Sequence, residues 1–269
     1  MKYNKKDIVN ALKDIDVKEG DILFSHSSLG FFGLPEGGLS EKNIFSIFYD
    51  AIFEVIGDQG LLVTPTFTYS FSSLNNDGVF DYENSESKMG FFPELLRQRD
   101  DSIRTLDPIF SCTLNGNSRK LLPQNIISSE SFGDGSIWEV LLKNDAKLCN
   151  FNLDVGFSTF LHYCEKVCNV PYRKNIKFSG TSIIDGNKIP HSVDYFCREN
   201  TSIYEAETVE YSDFVKVKKK ANYTSVARGE IVSMDIKDSL EIFKEMYNDN
   251  NYFFTVEKKK HDKLNTLYN

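Results

Sequence analysis

The segment STFLHYCEKVC, residues 158–168, brings His162, Cys164, Glu165 and Cys168 within one short stretch, and each pairing implies a different chemistry. His162 with Glu165 is a proton acceptor beside a carboxylate. Residues three apart share a helical face, where the carboxylate can orient the imidazole or hold an incoming ammonium. His162 with Cys164 would be an activated thiol, and His162 with both cysteines the beginning of a metal site. Positions two apart on a helix lie about 200° round, so the three side chains do not face one point. A structural zinc would also need a fourth ligand and paired short spacings, which are absent. No metal is expected, and Cys164 reads as a small packing residue. The plain alternative for His162 is a helix histidine satisfied by a neighbour.

Hydroxyl-rich loops follow two apolar runs. HSSLGFFG follows DILF, and TPTFTYSF overlaps the end of GLLVTPTFTY. Such loops can present backbone N–H groups and short hydroxyls to a phosphate or a carbonyl.

The elements that must carry these residues alternate along the chain. Ile8, Val9 and Leu12 form a stripe over residues 5–14, which predicts a helix leading into the strand DILFSHSSL. Ser40 is a candidate N-cap for a helix to Gly57, rich in Ile and Phe, and GLLVTPTFTY is the next strand. Residues 70–82 read as a surface loop. A helix at MGFFPELLRQRD, a strand at DPIFSCTLNG, a helix at GSIWEVLLKND, a strand at AKLCNFNL and the helix 158–169 follow. Residues 172–217 read as short β-like runs, with IDGNK as a hairpin turn, and GEIVSMDIKDSLEIFKEMYND as a strand and an amphipathic helix.

Interleaved strands and helices predict an α/β chain with a mixed sheet between helical layers. Residues 1–269 read as one domain, with 172–217 a β-rich insertion or subdomain. In such sheets ligands settle beyond the strand ends.

Composition narrows the function. Hydrophobic residues make up 41% and charged residues 26%, with no apolar run long enough to span a bilayer. The charged opening MKYNKKDIVNALKDIDVKEGD does not read as a signal peptide, and five cysteines suit reduced thiols, so a cytoplasmic location is expected. A formal charge of -8 argues against nucleic acid, and the basic runs at 216–220 and 258–260 read as solvated lysines at a strand end and in the tail.

In order, HSSLGFFG, VTPTFT, MGFFPELLRQ, RTLDPIFS, SFGDGSIWEVLL and STFLHYCE resemble the motifs of the aminoglycoside 3-N-acetyltransferase family, from about Gly20 to Glu165 and more weakly at GEIVSMDIKDSLEIF. The resemblance implies a three-layer α/β/α fold and acetyl-CoA as co-substrate for acetylation of a small-molecule amine, with no membrane partner and the oligomeric state left open, a homodimer included. It implies His162 as the active-site histidine and general base, with Glu165 as its partner. It places His26, Ser27, Ser28 and Leu29 against the pantetheine and phosphates of CoA. Thr64, Thr66 and Thr68 would flank the acetyl group, and Ser131, Gly133 and Gly135 would form a tight turn nearby. Arg104 is expected to bind a phosphate or a carboxylate.

Antibiotic-acting members typically carry a histidine–proline pair and another histidine before the serine. Here the run is Asp107, Pro108, Ile109, Phe110, Ser111. Asp107 in that place, with Phe67, Tyr69, Phe71 and Phe110, suits a single amino group on a sugar with a flat face. The expected acceptor is therefore an amino sugar, nucleotide-linked or destined for a surface polysaccharide, with Asp107 holding the ammonium. An aspartate capping its own turn is the structural alternative. Resistance-type aminoglycoside acetylation and a non-catalytic carbohydrate-binding homologue are the competing functions.

Overall fold

A computed structural model describes residues 1–72, 78–117, 129–199 and 206–256. In chain order the elements are β1 (Lys2–Tyr3), α1 (Lys5–Asp14), β2 (Ile22–Phe24), β3 (Leu34–Pro35), α2 (Glu41–Ile56), β4 (Leu61–Pro65), β5 (Val79–Asp81) and α3 (Phe91–Arg97). They continue with β6 (Ser102–Arg104), β7 (Cys112–Asn115), α4 (Ile137–Lys143), β8 (Lys147–Phe151), α5 (Phe160–Cys168), β9 (Arg173–Ile184) and β10 (Asn187–Arg198). The last are α6 (Val209–Lys218), β11 (Ala221–Val226), β12 (Gly229–Asp235) and α7 (Ile236–Asp249).

Local chemistry sets the boundaries. Asn4 and Asp7 form a reciprocal capping box at the start of α1, and the Ser40 hydroxyl accepts from the Asn43 amide at the start of α2. Gly57, at a φ of +64°, ends α2.

Seven strands form one mixed sheet in the order β11-β12-β8-β2-β4-β7-β6. β2 is parallel to β4 and to β8, so those three strands end on the same edge. Successive residues serve opposite faces. Leu23 and Leu62 face a core built with Ile8, Leu12, Phe48 and Ile52 of α1 and α2, while Phe24 and Val63 face one built with Trp138, Leu161 and Phe243 of α4, α5 and α7. The predicted three-layer α/β/α arrangement is the observed one.

A second sheet, β10-β9-β5, carries a long hairpin with twelve paired positions from Ile184↔Asn187 to Arg173↔Arg198. Its turn residues, Asp185 and Gly186, both have positive φ.

Three expectations need correction. Residues 172–217 are not β throughout: the hairpin ends at Arg198, and Val209–Lys218 is helix α6. Val209 and Tyr211, and again Val215 and Val217, stand two apart with a polar residue between and so imitate short strands, yet only Tyr211 and Val215 of these are buried. The strand predicted at DPIFSCTLNG begins only at Cys112, because Asp107–Phe110 form a turn. The expected loop 70–82 contains β5, which pairs with β9, while 73–77 lie outside the described residues.

The basic run at 216–220 closes α6 rather than a strand, and Lys216, Lys218 and Lys220 pair with Asp154, Glu245 and Asp238. The run at 258–260 lies outside the described residues. No helix among the described residues is long and apolar enough to cross a membrane.

Candidate active site

The carboxyl edges of β2 and β8 meet where the chain leaves both strands. Ser27 bridges to Phe151, and the Ser28 amide donates to the Phe151 carbonyl at 2.9 Å. β4 lies on one side of β2 and β8 on the other, so this is the reversal point of the sheet, where α/β folds open a crevice. The loop after β8 leads directly into α5. Thr159 at its N-terminus contacts the His26 ring, with 3.0 Å between Thr159 Oγ1 and His26 Nε2.

His162 stands in the first turn of α5, with its side chain 27% exposed, while Glu165 beside it is fully buried. Its Nδ1 lies 2.8 Å from Glu165 Oε2. Arg173 Nη2 is equally close to that nitrogen, at 2.8 Å, so Nδ1 stands between a carboxylate acceptor and a guanidinium donor, and its role follows from which ring nitrogen carries the proton.

Glu165 is also gripped from the hairpin. Arg173 Nη2 donates to its Oε2 at 2.7 Å, and Arg198 Nη2 to its Oε1 at 2.9 Å. The two arginines face each other across β9 and β10. Like charges so paired repel, and the carboxylate from α5 is what holds them together. Arg173 Nη1 additionally donates to the Phe196 carbonyl at 2.6 Å.

This cluster sets the protonation states. Burial alone would raise the Glu165 carboxyl, but Arg173, the His162 hydrogen bond and Arg198 hold it far below the ordinary carboxylate range. Burial, the Arg173 charge and, more weakly, Arg198 outweigh Glu165 at His162 and depress the imidazole to about 4. His162 is therefore neutral at physiological pH. Burial pushes the Cys164 thiol well above its usual value, which leaves no thiolate to attack.

An aromatic wall adjoins the histidine. The Phe132 ring lies 5.6 Å from that of His162 and 4.8 Å from Phe110, and Tyr195 of β10 is 4.8 Å from Phe110. Asp107 caps the turn before β7: its Oδ1 accepts the amides of Ile109 at 2.7 Å and Phe110 at 2.8 Å. Burial raises its carboxyl above the ordinary value, against those hydrogen bonds.

Other predicted residues sit deeper than expected. Arg104 is buried and saturated: Nε meets Ser111 Oγ at 3.0 Å, Nη1 donates to the Ser85 carbonyl at 2.6 Å and Nη2 to the Thr66 carbonyl at 2.7 Å. It ties the β4 and β7 ends together and does not face a ligand. Phe67 and Phe110 are core residues, without a free face for stacking; Tyr69 and Tyr195 are the half-buried rings of the wall. Thr64, Thr66, Thr68, Leu29, Ser131 and Gly133 are buried, and so is His26, whose imidazole burial lowers to about 3. Of the predicted cofactor contacts, Ser27 and Ser28 remain half-exposed at the crevice. Among the described residues no three His, Cys, Asp or Glu side chains converge as a metal site would require.

Arg173 and Arg198 escaped the sequence reading. The signal that finds them is the two-residue turn Asp185–Gly186, because counting back along the ladder places Arg173 opposite Arg198.

Residues 24–248 match the family model described as aminoglycoside 3-N-acetyltransferase. Among solved structures, that of aminoglycoside acetyltransferase AAC(3)-Xa is 18% identical over 91% of this chain and 93% of its own, with a TM-score of 0.78. AAC-IIIb, described as binary with CoASH, is 13% identical over 95% and 99%, also at 0.78. The YokD protein from Bacillus subtilis is 17% identical over 92% and 99%, at 0.74. No curated protein matches the sequence.

Proposed function

The chain belongs to the aminoglycoside 3-N-acetyltransferase family, and from that premise we propose that it moves the acetyl group of acetyl-CoA to the amine of an amino sugar, with His162 as general base. Acetyl-CoA-dependent N-acetylation is the reaction of the family. The observation that carries the residue assignment is the partly exposed, neutral imidazole of His162, whose Nδ1 is held between Glu165 and Arg173; with the ring proton on Nδ1 toward Glu165, Nε2 is the lone pair left for the reaction.

The free amine attacks the thioester carbonyl, a C–N bond forms and the carbonyl becomes an oxyanion. His162 Nε2 takes the proton from the now cationic nitrogen. The oxyanion collapses, the C–S bond breaks, and the imidazolium returns its proton to the departing CoA sulfur. A base depressed to about 4 is weak, but the N–H turns strongly acidic as the oxyanion collapses and the nitrogen becomes an amide, and the resulting imidazolium readily protonates a thiolate. Ser27 and Ser28 are the residues we assign to CoA, at the reversal point of the sheet.

Asp107 is assigned to the acceptor's amino group, which binds as the free amine and donates an N–H to it. Both turn bonds use Oδ1, and the Ser131 hydroxyl is the other group of the fold that favours the carboxylate. An acceptor with one amine is supported by the site's other carboxylate, Glu165, being engaged by two arginines. An aminoglycoside antibiotic is the reading that the family description favours.

Thiol release from acetyl-CoA, measured with amino sugars, nucleotide-linked amino sugars and aminoglycosides, separates these. Turnover of an amino sugar at the highest kcat/KM is expected. Faster turnover of kanamycin or gentamicin would assign the antibiotic instead, and carbohydrate binding with no thiol release from any acceptor would contradict catalysis.

A further inference from the structure

Two elements beyond His162, β10 and the loop before α4, bring polar side chains toward Asp107. On β10, His191, Val193 and Tyr195 share the inward face, and the Tyr195 ring contacts Phe110 and Phe132 of the wall beside His162. His191 is 7% exposed. Its Nδ1 lies 2.8 Å from Ser182 Oγ on the paired strand, the Phe71 ring stands edge-on at 5.8 Å, and Nε2 has no hydrogen-bond partner.

Ser131 reaches the same place from the loop before α4. Its amide donates to the Asp194 carbonyl of β10 at 2.9 Å, and its carbonyl accepts from Trp138 Nε1 at 2.9 Å, so the backbone is fixed from both sides. The hydroxyl, buried as deeply, has the Asp107 carboxylate as its polar neighbour and favours its charged form, without a well-formed hydrogen bond to any other group. Buried polar groups are nearly always paired, so an imidazole nitrogen with no partner, beside a carboxylate and hydroxyl that have few others, marks a place built for something else. Burial favours the neutral imidazole at His191, with Asp107 opposing that effect.

We propose that His191 and Ser131 form, with Asp107, an acceptor-recognition subsite that takes a hydroxyl group of the carbohydrate, so that His191 determines which sugar is acetylated. The subsite rests on the acetyl-transfer reading for its acceptor but not for its binding chemistry. A ring nitrogen and a serine hydroxyl together can donate to and accept from one sugar hydroxyl, which a hydrophobic pocket does not distinguish from hydrogen.

The test uses the intact chain, the amino sugar that it binds best and the monodeoxy analogues of that sugar, with affinity read by calorimetry and turnover by thiol release. In the unaltered protein one deoxy analogue should bind about tenfold more weakly than the parent sugar. His191→Phe and Ser131→Ala should each abolish that discrimination, with His191→Gln retaining part of it and the KM for acetyl-CoA unchanged. Discrimination as strong in His191→Phe and Ser131→Ala as in the parent chain would overturn the proposal, as would equal losses toward acetyl-CoA and the sugar. Because binding is read separately, sugar binding without thiol release would contradict the acetyl-transfer reading and leave the subsite to be judged on affinity alone.

Discussion

At His162 the positive field of Arg173 and Arg198, added to burial, exceeds the negative field of Glu165, and the imidazole stays neutral down to about pH 4. Arg173→Gln removes the nearer cation, so the imidazolium becomes easier to form and the pKa of His162 should rise toward about 6.5. An NMR titration of the His162 ring reads this directly, and the acid limb of the kcat profile should move to higher pH with it. Cys164→Ser should keep near-parental turnover, since the buried thiol does not ionise; its loss would revive a covalent intermediate. Much of this site was legible in sequence because His162 and Glu165 lie on one helix, where spacing alone decides that they meet. Arg104 was not. A buried arginine that bonds backbone carbonyls and one that grips a phosphate present the same letter, and only its saturation by Ser85, Thr66 and Ser111 distinguishes them.

The hairpin β9–β10 is joined to α5 by Glu165 at its base. Glu165→Gln would leave two guanidiniums facing each other in a buried place, and removal of one partner from such a cluster costs about 3–5 kcal/mol. Urea denaturation should show a loss of that order, with faster amide exchange at the base of the hairpin. Glu54→Gln, which breaks the exposed pair of Lys5 and Glu54 at 2.6 Å, should leave the urea midpoint almost unchanged, because solvent screens that pair. Equal effects from the two substitutions would contradict the clamp. The hairpin was legible from IDGNK, whereas α6 was not, because its exposed valines supplied a period-two pattern that packing did not use. β6 and β11 escaped notice as well. They are edge strands, and three residues on one side or a half-polar run on the other give little periodicity to read.

Across the whole molecule the sheet supplies the geometry: β2 and β8 end side by side, and the helix carrying His162 follows the end of β8 after a loop of eight residues. The layer order could be inferred from alternating elements, but the strand order could not, since β12 returns from the far end of the chain to lie beside β8.

The same burial makes stability depend on pH. His26 and His162 titrate near 3 and 4 in the fold, below the ordinary 6.5, so between pH 6.5 and 4 the unfolded chain binds protons that the folded chain refuses. Stability should therefore fall as pH drops through this window, each histidine contributing up to about 1.4 kcal/mol per pH unit. Urea midpoints at several pH values check this, and His162→Asn should flatten the dependence.

The measurement that bears most directly on the account is acetyl transfer by His162→Asn, with acetyl-CoA affinity determined on the same preparation. Thiol release should fall about 10²–10⁴-fold while acetyl-CoA binds as before. Transfer at the parental rate, with affinity intact, would show that another group accepts the proton.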